Sequence, residues 1–229
     1  MKAKSREFFD ETRMLWESIE REGQLTSLMT VPAACILAAA STLFGEDKFG
    51  IMCRSKATRT AKDLGLFRTQ LANRIYDSRN PKLSMARAVV AWGVYCQNAQ
   101  VILSLSATLP LTFSRCSAFH MHHETELRSP PPVPIPYEAD RDDDLTWDSY
   151  PLKQRSAPMH QGMMFKATCE LWMITSDVVA LYHAQDAQAP EELLQQIPKI
   201  FHDLLTWAGK LPYPLTRSPS ALPHVLVMQ

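Results

Sequence analysis

Residues 84–105, SMARAVVAWGVYCQNAQVILSL, decide the fold of this chain. Apolar side chains recur in this stretch at helical spacing, from Met85 through Trp92 to Leu105, and they cover most sides of the helix. Ser84 stands where its hydroxyl can cap the first turn, and Gly93 would allow a neighbouring helix to approach closely. The stretch therefore predicts a long central helix against which the other helices pack.

Three segments before this stretch also have helical spacing. The first ends near Gly23, the second runs from Ala33 to Phe44 and ends at Gly45, and the third ends at Gly65. The second segment is apolar on nearly every side, so we expect it in the centre of the group. The predicted apolar faces consist of Phe8, Thr12, Leu15, Trp16 and Ile19 in the first segment and of Phe49, Met52, Cys53, Ala57, Thr60, Ala61 and Leu64 in the third.

Beyond Arg128 the sequence becomes rich in proline and acidic residues, which excludes a regular helix or a central strand. We expect residues 128–160 to form a long, extended surface crossing. Helical spacing returns over 161–209, with Pro190 at the first position of the last helix, and residues 210–229 form a proline-rich tail. The sequence thus predicts an all-α, irregular multi-helix bundle. We expect one incomplete domain over 1–229, with a helical group at 1–127.

The amino-acid composition excludes several classes of function. The chain has 229 residues, 46% of them apolar, and its 24 basic and 24 acidic residues give zero net charge. This balance excludes binding to nucleic acid through the charge of the whole chain. The five cysteines are widely spread without a CxxC pair, which favours reduced thiols over a disulfide framework. No apolar run reaches the ~20 residues that span a membrane. Because the first residues are charged and lead into no apolar run, we expect no secretory signal.

Charge is nevertheless uneven along the chain. Between Lys48 and Arg87 there are ten basic residues and only two acidic ones, Asp63 and Asp77. Such a stripe can contact nucleic acid or an acidic partner. Because aromatic residues for base stacking are few there, we interpret it as solvated helix faces.

The densest set of side chains that could bind a metal lies after the central helix. Zinc needs about four ligands in a closed geometry, and no second cluster with matching spacing follows, so an exposed histidine-rich turn is the favoured interpretation. The run Asp142–Asp144 lacks the glycine turn and distal carboxylate of a cation loop. No phosphate loop or hydrolase motif occurs, and no residue argues for an enzyme. The set consists of Cys116, His120, His122, His123 and Glu124.

A series of motifs carries a resemblance to a known family. The stretches are FFDETR at 8–13, LMTVPA at 28–33, ATRTAKDLGLF at 57–67, RAVVAWGVY at 87–95 and the proline-rich segments at 130–150 and 211–226. In this order they resemble the regulatory, or middle homology, domain of fungal zinc-cluster transcription factors. Pro32 stands where that family has glutamine, and residues 106–110 replace most of its G-R-P turn. The family's six-cysteine zinc cluster is absent.

The resemblance implies a nuclear regulatory domain that controls RNA polymerase II transcription, possessing no enzyme activity and sensing a small metabolite or a partner protein. It implies contact with the transcriptional machinery or a related regulator, homo- or heterodimers, no direct DNA binding and no membrane. Zinc is expected only in a DNA-binding domain outside this chain, which itself needs no cofactor. Candidate ligand or partner contacts are Tyr95, Arg115, His120 and His122.

The sequence leaves two other hypotheses open. The chain could act as a competitor or corepressor of a full-length relative, since it lacks the zinc cluster. Alternatively, a helical pocket could act as an enzyme on a small apolar metabolite through Arg115, His120 or His122. For Trp92, Gly93 and Tyr95 the packing interpretation is favoured over ligand contact, because large side chains in an apolar helix are usually core.

Overall fold

A computed structural model describes residues 2–68, 80–108, 127, 129–137, 146–148, 156–183 and 190–216. Within these ranges the chain forms six α-helices, one 3-10 turn and two three-residue strands, so the predicted all-α class is confirmed. None of the helices in these ranges is long and apolar enough to cross a membrane. The elements are α1 (Lys2–Arg21), α2 (Thr30–Phe44), α3 (Asp47–Asp63), α4 (Pro81–Thr108), β1 (Thr146–Asp148), β2 (Ser156–Pro158), α5 (Gln161–His183), α6 (Pro190–Gly209) and the 3-10 turn Tyr213–Leu215.

The chain divides into two compact units. The first unit comprises Met1–Asn98 with Pro110–Pro134, and the second comprises Ala99–Leu109 with Ile135–Gln229. The expectation of a single incomplete domain with the four predicted segments stays a prediction.

The predicted ends of the first three helices are confirmed. Gly23, Gly45 and Gly65 all have positive φ angles, between 71° and 76°, a conformation that glycine adopts without the steric cost of a Cβ. After α2, the amide of Glu46 donates to the Ser41 carbonyl at 2.9 Å, which satisfies an otherwise free carbonyl at the helix end. Each helix therefore ends where the sequence indicates, because a glycine there adopts the left-handed conformation.

Helices α2 and α3 pack against each other at Gly50. A Cβ built on Gly50 would lie 3.1 Å from the Cβ of Ser41 and 3.3 Å from the Ala38 carbonyl oxygen. The buried side of α2 includes Val31, Ala34 and Leu37. Its opposite side is open, with Ile36 70% and Leu43 85% exposed, so the expected central position holds for one side of α2 only.

The predicted apolar face of α1 is also wrong in part. Phe9 and Trp16 are buried, whereas Phe8, Leu15 and Ile19 are exposed. Phe9 lies 4.7 Å from Phe44 between ring centroids. Two apolar stripes lie side by side on α1. The stripe that contains most of the predicted residues, Phe8, Leu15 and Ile19 among them, faces solvent.

Helix α3 follows its prediction more closely. Most of the predicted face is buried, but Met52 and Leu64 are exposed. Gly50 and Thr58, which were not predicted, are buried as well. The contact with α2 at Gly50 explains this shift, because it turns the face around Gly50 and Cys53 toward the neighbouring helix.

Helix α4 begins three residues before the predicted cap. Asn80 accepts a hydrogen bond from the Leu83 amide through its side-chain oxygen at 3.1 Å, the contact that defines an N-cap. Ser84 is buried, 4% exposed, and its hydroxyl donates to the Asn80 carbonyl. Pro81 fits the first turn because it has no amide hydrogen to satisfy.

The prediction that Gly93 permits a close helix approach is wrong. Among the described residues, a Cβ at Gly93 would meet no atom within 4 Å outside its own helix. We therefore expect Gly93→Ala to stabilise the protein by about 0.5–1 kcal/mol, since alanine loses less backbone entropy in a helix. Urea unfolding of the two proteins measures this difference, and a destabilised Gly93→Ala variant would contradict the open space around this residue.

The proline-rich segment is less exposed than predicted. Val133 is 5% exposed, and Pro131 is buried as well. The Trp92 indole donates to the Val133 carbonyl oxygen at 3.1 Å. This part of the predicted surface crossing therefore packs into the first unit, and the acidic run 140–144 lies outside the described residues.

The second unit contains a short ladder and two helices. Strands β1 and β2 pair antiparallel, with Trp147 opposite Ala157, a pairing that the sequence does not signal because each strand has three residues. Around Ala167 and Leu215, which are buried, pack Met163, Met164, Trp207 and Leu211. The Trp207 indole donates to the Ala167 carbonyl oxygen at 3.0 Å and joins α6 to α5.

Candidate functional site

The central feature of the first unit is a junction of helices α2, α3 and α4, which we call the three-helix junction. Its α4 residues are Trp92, Tyr95, Gln97 and Asn98. Trp92 and Tyr95 are buried, 3% and 2% exposed, and their rings meet edge to face at 5.7 Å and 87°. The packing interpretation of these two residues is confirmed. Their i,i+3 spacing on one helix face produces the contact.

Gln97 joins α4 to α2. Its side-chain amide donates to the main-chain carbonyl of Cys35 at 2.9 Å. The Cys35 carbonyl lies inside α2, so the contact fixes Gln97 against the body of that helix. A hydrogen bond of this kind stabilises the folded state by about 1 kcal/mol, and it restricts how α4 can slide along α2.

Asn98 joins α4 to α3. Its side-chain amide donates to the Thr58 hydroxyl at 3.1 Å and to the Val94 carbonyl at 2.9 Å. The Thr58 hydroxyl donates in turn to the Arg54 carbonyl at 3.1 Å. Burial lowers the pKa of the neighbouring Arg54 guanidinium. Asn98, Thr58 and the Arg54 carbonyl thus form a chain of hydrogen bonds between uncharged groups. In an apolar setting, a polar group without its partner lowers the stability of the folded state.

A charged clamp holds α1 on the corner between α2 and α3. The two oxygens of Glu46 accept from Arg6 at 2.8 Å and from Arg13 at 3.3 Å. The two guanidinium groups also lie over aromatic rings, with Arg13 5.0 Å from the centre of Phe49. The hydrogen bond to Glu46 is the first cause that raises the pKa of Arg6. The clamp lies on the same side of α1 as Phe9, which packs against Phe44 and Phe49.

Two thiols at the junction stay protonated at neutral pH. Burial raises the pKa of Cys35 from 9.0 to about 11. Burial, assisted by the negative charge of Glu20, raises that of Cys53 to about 12. A thiol needs its thiolate form to act as a nucleophile. The arrangement of amides, hydroxyls and protonated thiols therefore suits packing and hydrogen bonding rather than nucleophilic attack at Cys35 or Cys53.

The raised thiol pKa values predict a pH dependence of stability. In the unfolded chain these thiols ionise near pH 9, but in the folded chain only near pH 11 to 12. Their stabilising contribution is complete below the unfolded pKa and is lost as the pH rises through this window. Urea midpoints measured from pH ~8 to ~10 should fall less steeply in the Cys35→Ala/Cys53→Ala variant. If the urea midpoint fell equally steeply with pH in both proteins, the raised pKa values of Cys35 and Cys53 would be contradicted.

The predicted contact residues divide between described and undescribed parts of the chain. Tyr95 lies in the buried junction, 2% exposed, and its role as a ligand contact stays a prediction. Arg115, His120 and His122 lie outside the described residues, as do Cys116 and the run Asp142–Asp144. Within the described ranges, no group of three or more His, Cys, Asp and Glu side chains could hold a metal ion.

Sequence reasoning missed the two amides that link the helices. Gln97 and Asn98 form a polar pair inside an otherwise apolar helix. Such a pair is a usable signal, because a buried polar side chain is almost always hydrogen-bonded. The partners on α2 and α3 could not be identified from the sequence.

The fold defines the class of the protein only broadly, as an all-α chain. Its three-helix junction is held by packing and by hydrogen bonds between uncharged groups. Comparison with known proteins gives a more particular likeness. Over 224 residues the chain is 25% identical to the Notoamide biosynthesis transcriptional activator notL' of Aspergillus versicolor. The match covers 96% of this chain and 32% of that protein, so the chain spans about a third of the relative's length. No family model and no solved structure matches.

Proposed function

We propose that this chain is a regulatory segment of a fungal-type transcription regulator that acts on RNA polymerase II transcription in the nucleus. The observation that carries the proposal is the similarity to a transcriptional activator along 96% of the chain. The motif series at 8–13, 28–33, 57–67 and 87–95 supports the same class, because it resembles the middle homology domain of zinc-cluster transcription factors.

The three-helix junction offers a physical means of control. Gln97 and Asn98 hold α4 to two other helices through a few neutral hydrogen bonds. Trp92 joins the same helix to the segment that contains Val133. A small metabolite or partner that favours one arrangement of α4 would shift the population of the whole unit by its difference in binding free energy.

The proposal is tested by a tethering experiment. Residues 1–229 are inserted between an unrelated DNA-binding domain and a strong activation domain, and reporter output is compared with the fusion that lacks the insert, at equal protein amounts. We expect a change of about fivefold or more, the effect of a coupling free energy near the lower end for regulated proteins. Unchanged output would overturn the proposal.

Two variants make the comparison specific. Trp92→Ala disrupts the buried junction and should remove the effect of the insert. Gly93→Ala changes the neighbouring residue in a space that is open and should keep it. An effect that survives Trp92→Ala would show that the tethered chain acts by occupying space rather than through its fold.

A further inference from the structure

Arg54 on α3 is a half-buried cation. Across the part of the chain that the structure describes, its guanidinium takes part in no ion pair and no hydrogen bond. By contrast, Arg6 and Arg13 on α1 share the carboxylate of Glu46. A charge that is partly removed from water without a partner lowers the stability of the folded state. The position of Arg54 therefore calls for a physical reason.

Arg54 lies between two helix contacts. Gly50, one turn earlier on α3, meets α2 at Ser41. Thr58, one turn later, accepts a hydrogen bond from Asn98 of α4. Because residues four apart share one side of a helix, Arg54 lies on the side of α3 that faces both other helices. The cation is thus held at the three-helix junction.

The neighbours of Arg54 along its own helix are uncharged. Burial lowers the pKa of the guanidinium, and the negative charge of Asp47, seven residues earlier, offsets only part of this effect. The helix therefore supplies no carboxylate within one turn of the cation. The positions three and four residues away on either side are Gly50, Ile51, Ala57 and Thr58.

This setting suits a small carboxylate. The planar guanidinium presents parallel N–H groups that match the two oxygens of a carboxylate. One cation balances one negative charge, which favours a monocarboxylate over a phosphate dianion. Ile51, which is 37% exposed, and Ala57 give the site an apolar border, so an apolar body on the carboxylate fits beside the cation.

We infer that Arg54, at the three-helix junction, binds the carboxylate of a small monoanion with an apolar body. The carboxylate pairs the charge of Arg54, so binding stabilises the arrangement in which α3 contacts α2 and α4. The inference deepens the proposed function, on which its regulatory meaning rests, by naming a chemical class of effector and the residue that holds it. Binding is measured on the purified protein, so a failed binding test is distinguishable from a failed reporter test.

Urea unfolding of the full 229-residue chain with added carboxylates tests the site. Acetate, butyrate and benzoate are each compared with chloride at equal ionic strength. We expect at least one of them to raise the urea midpoint saturably, with a half-effect near about 1 mM. Arg54→Met should raise the half-effect concentration at least about tenfold, because one charge-assisted pair is lost. The matched control is Arg59→Met, at an exposed position of the same helix, which should leave it unchanged.

The same variants are also compared without any carboxylate. Arg54→Met keeps most of the aliphatic stem and removes the unpaired charge, so its urea midpoint should exceed those of the unsubstituted protein and of Arg59→Met. A lower midpoint would overturn the inference, because it would mean that the chain itself already pairs the Arg54 charge. The absence of a saturable effect with all three carboxylates, or an equal effect in Arg54→Met, would overturn it as well.

Discussion

Replacing Trp92 with alanine should lower the free energy of unfolding by about 3–5 kcal/mol, the usual cost of removing a buried tryptophan from a packed core. Trp92 is 3% exposed and contacts the Tyr95 ring edge to face. Its indole also supplies the hydrogen bond to the Val133 carbonyl at 3.1 Å. Trp92→Ala therefore removes buried apolar area and also breaks the hydrogen bond that holds the segment containing Val133.

The conservative variant separates these two contributions. Trp92→Phe keeps much of the ring but leaves the Val133 carbonyl without its indole donor, which should cost about 1–3 kcal/mol. Phe8→Ala serves as the control, because Phe8 is 71% exposed and its removal should cost less than about 0.5 kcal/mol. Urea unfolding followed by circular dichroism measures all three variants. Equal stability of Trp92→Phe and the unsubstituted protein would contradict the role of the indole hydrogen bond.

Replacing Gly50 with valine should destabilise the protein by about 2–3 kcal/mol, within the range for overpacked cores. Even the first added carbon would lie 3.1 Å from Ser41 Cβ and 3.3 Å from the Ala38 main-chain oxygen. The main chain of α2 cannot move aside as a flexible side chain can. The two helices must therefore separate, and the buried contacts around Cys53 and Ala57 loosen with them.

A matched pair of alanine variants isolates this contact. Gly50→Ala and Gly93→Ala gain the same helix propensity, about 1 kcal/mol, but only the first meets a neighbouring helix. We expect Gly50→Ala to be less stable than Gly93→Ala by urea unfolding. If the two variants were equally stabilised, the close approach of α2 and α3 would be wrong.

Much of the helical framework could be predicted from the sequence. Glycines such as Gly45 end helices through a conformation that other residues adopt at a cost, and Pro190 marks the start of α6 as expected. These signals act over one turn, so a single sequence contains them completely. The start of α4 was missed because Asn80 and Ser84 are both good caps, and their competition is decided by the burial of Ser84.

The packing faces could be predicted less well, for a physical reason. On α1, Phe8 and Phe9 begin two apolar stripes with the same helical period, and periodicity alone does not choose between them. The choice depends on partners far along the chain. Phe9 packs against Phe44 and Phe49, and Glu46 binds Arg6 and Arg13 on the same side of α1. In the same way, no local signal distinguishes Gly50, which meets a helix, from Gly93, which does not.

The residues of the three-helix junction could likewise be predicted, but not their distant partners. Burial of Trp92 and Tyr95 followed from their place in an apolar helix, whereas the partners of Gln97 and Asn98 lie on α2 and α3. The hydrogen bond from Trp92 to Val133 joins residues 41 positions apart, so it could not be read from local spacing. The hypotheses on Arg115, His120 and His122, and the competitor and enzyme alternatives, stay predictions.

Reporter output from the tethered chain is the sharpest test of a regulatory role. We expect the unsubstituted insert and its Gly93→Ala variant both to change output about fivefold or more relative to the fusion without the insert. Trp92→Ala should abolish this change at equal protein amounts. The same output from all four fusions would contradict a regulatory role in transcription.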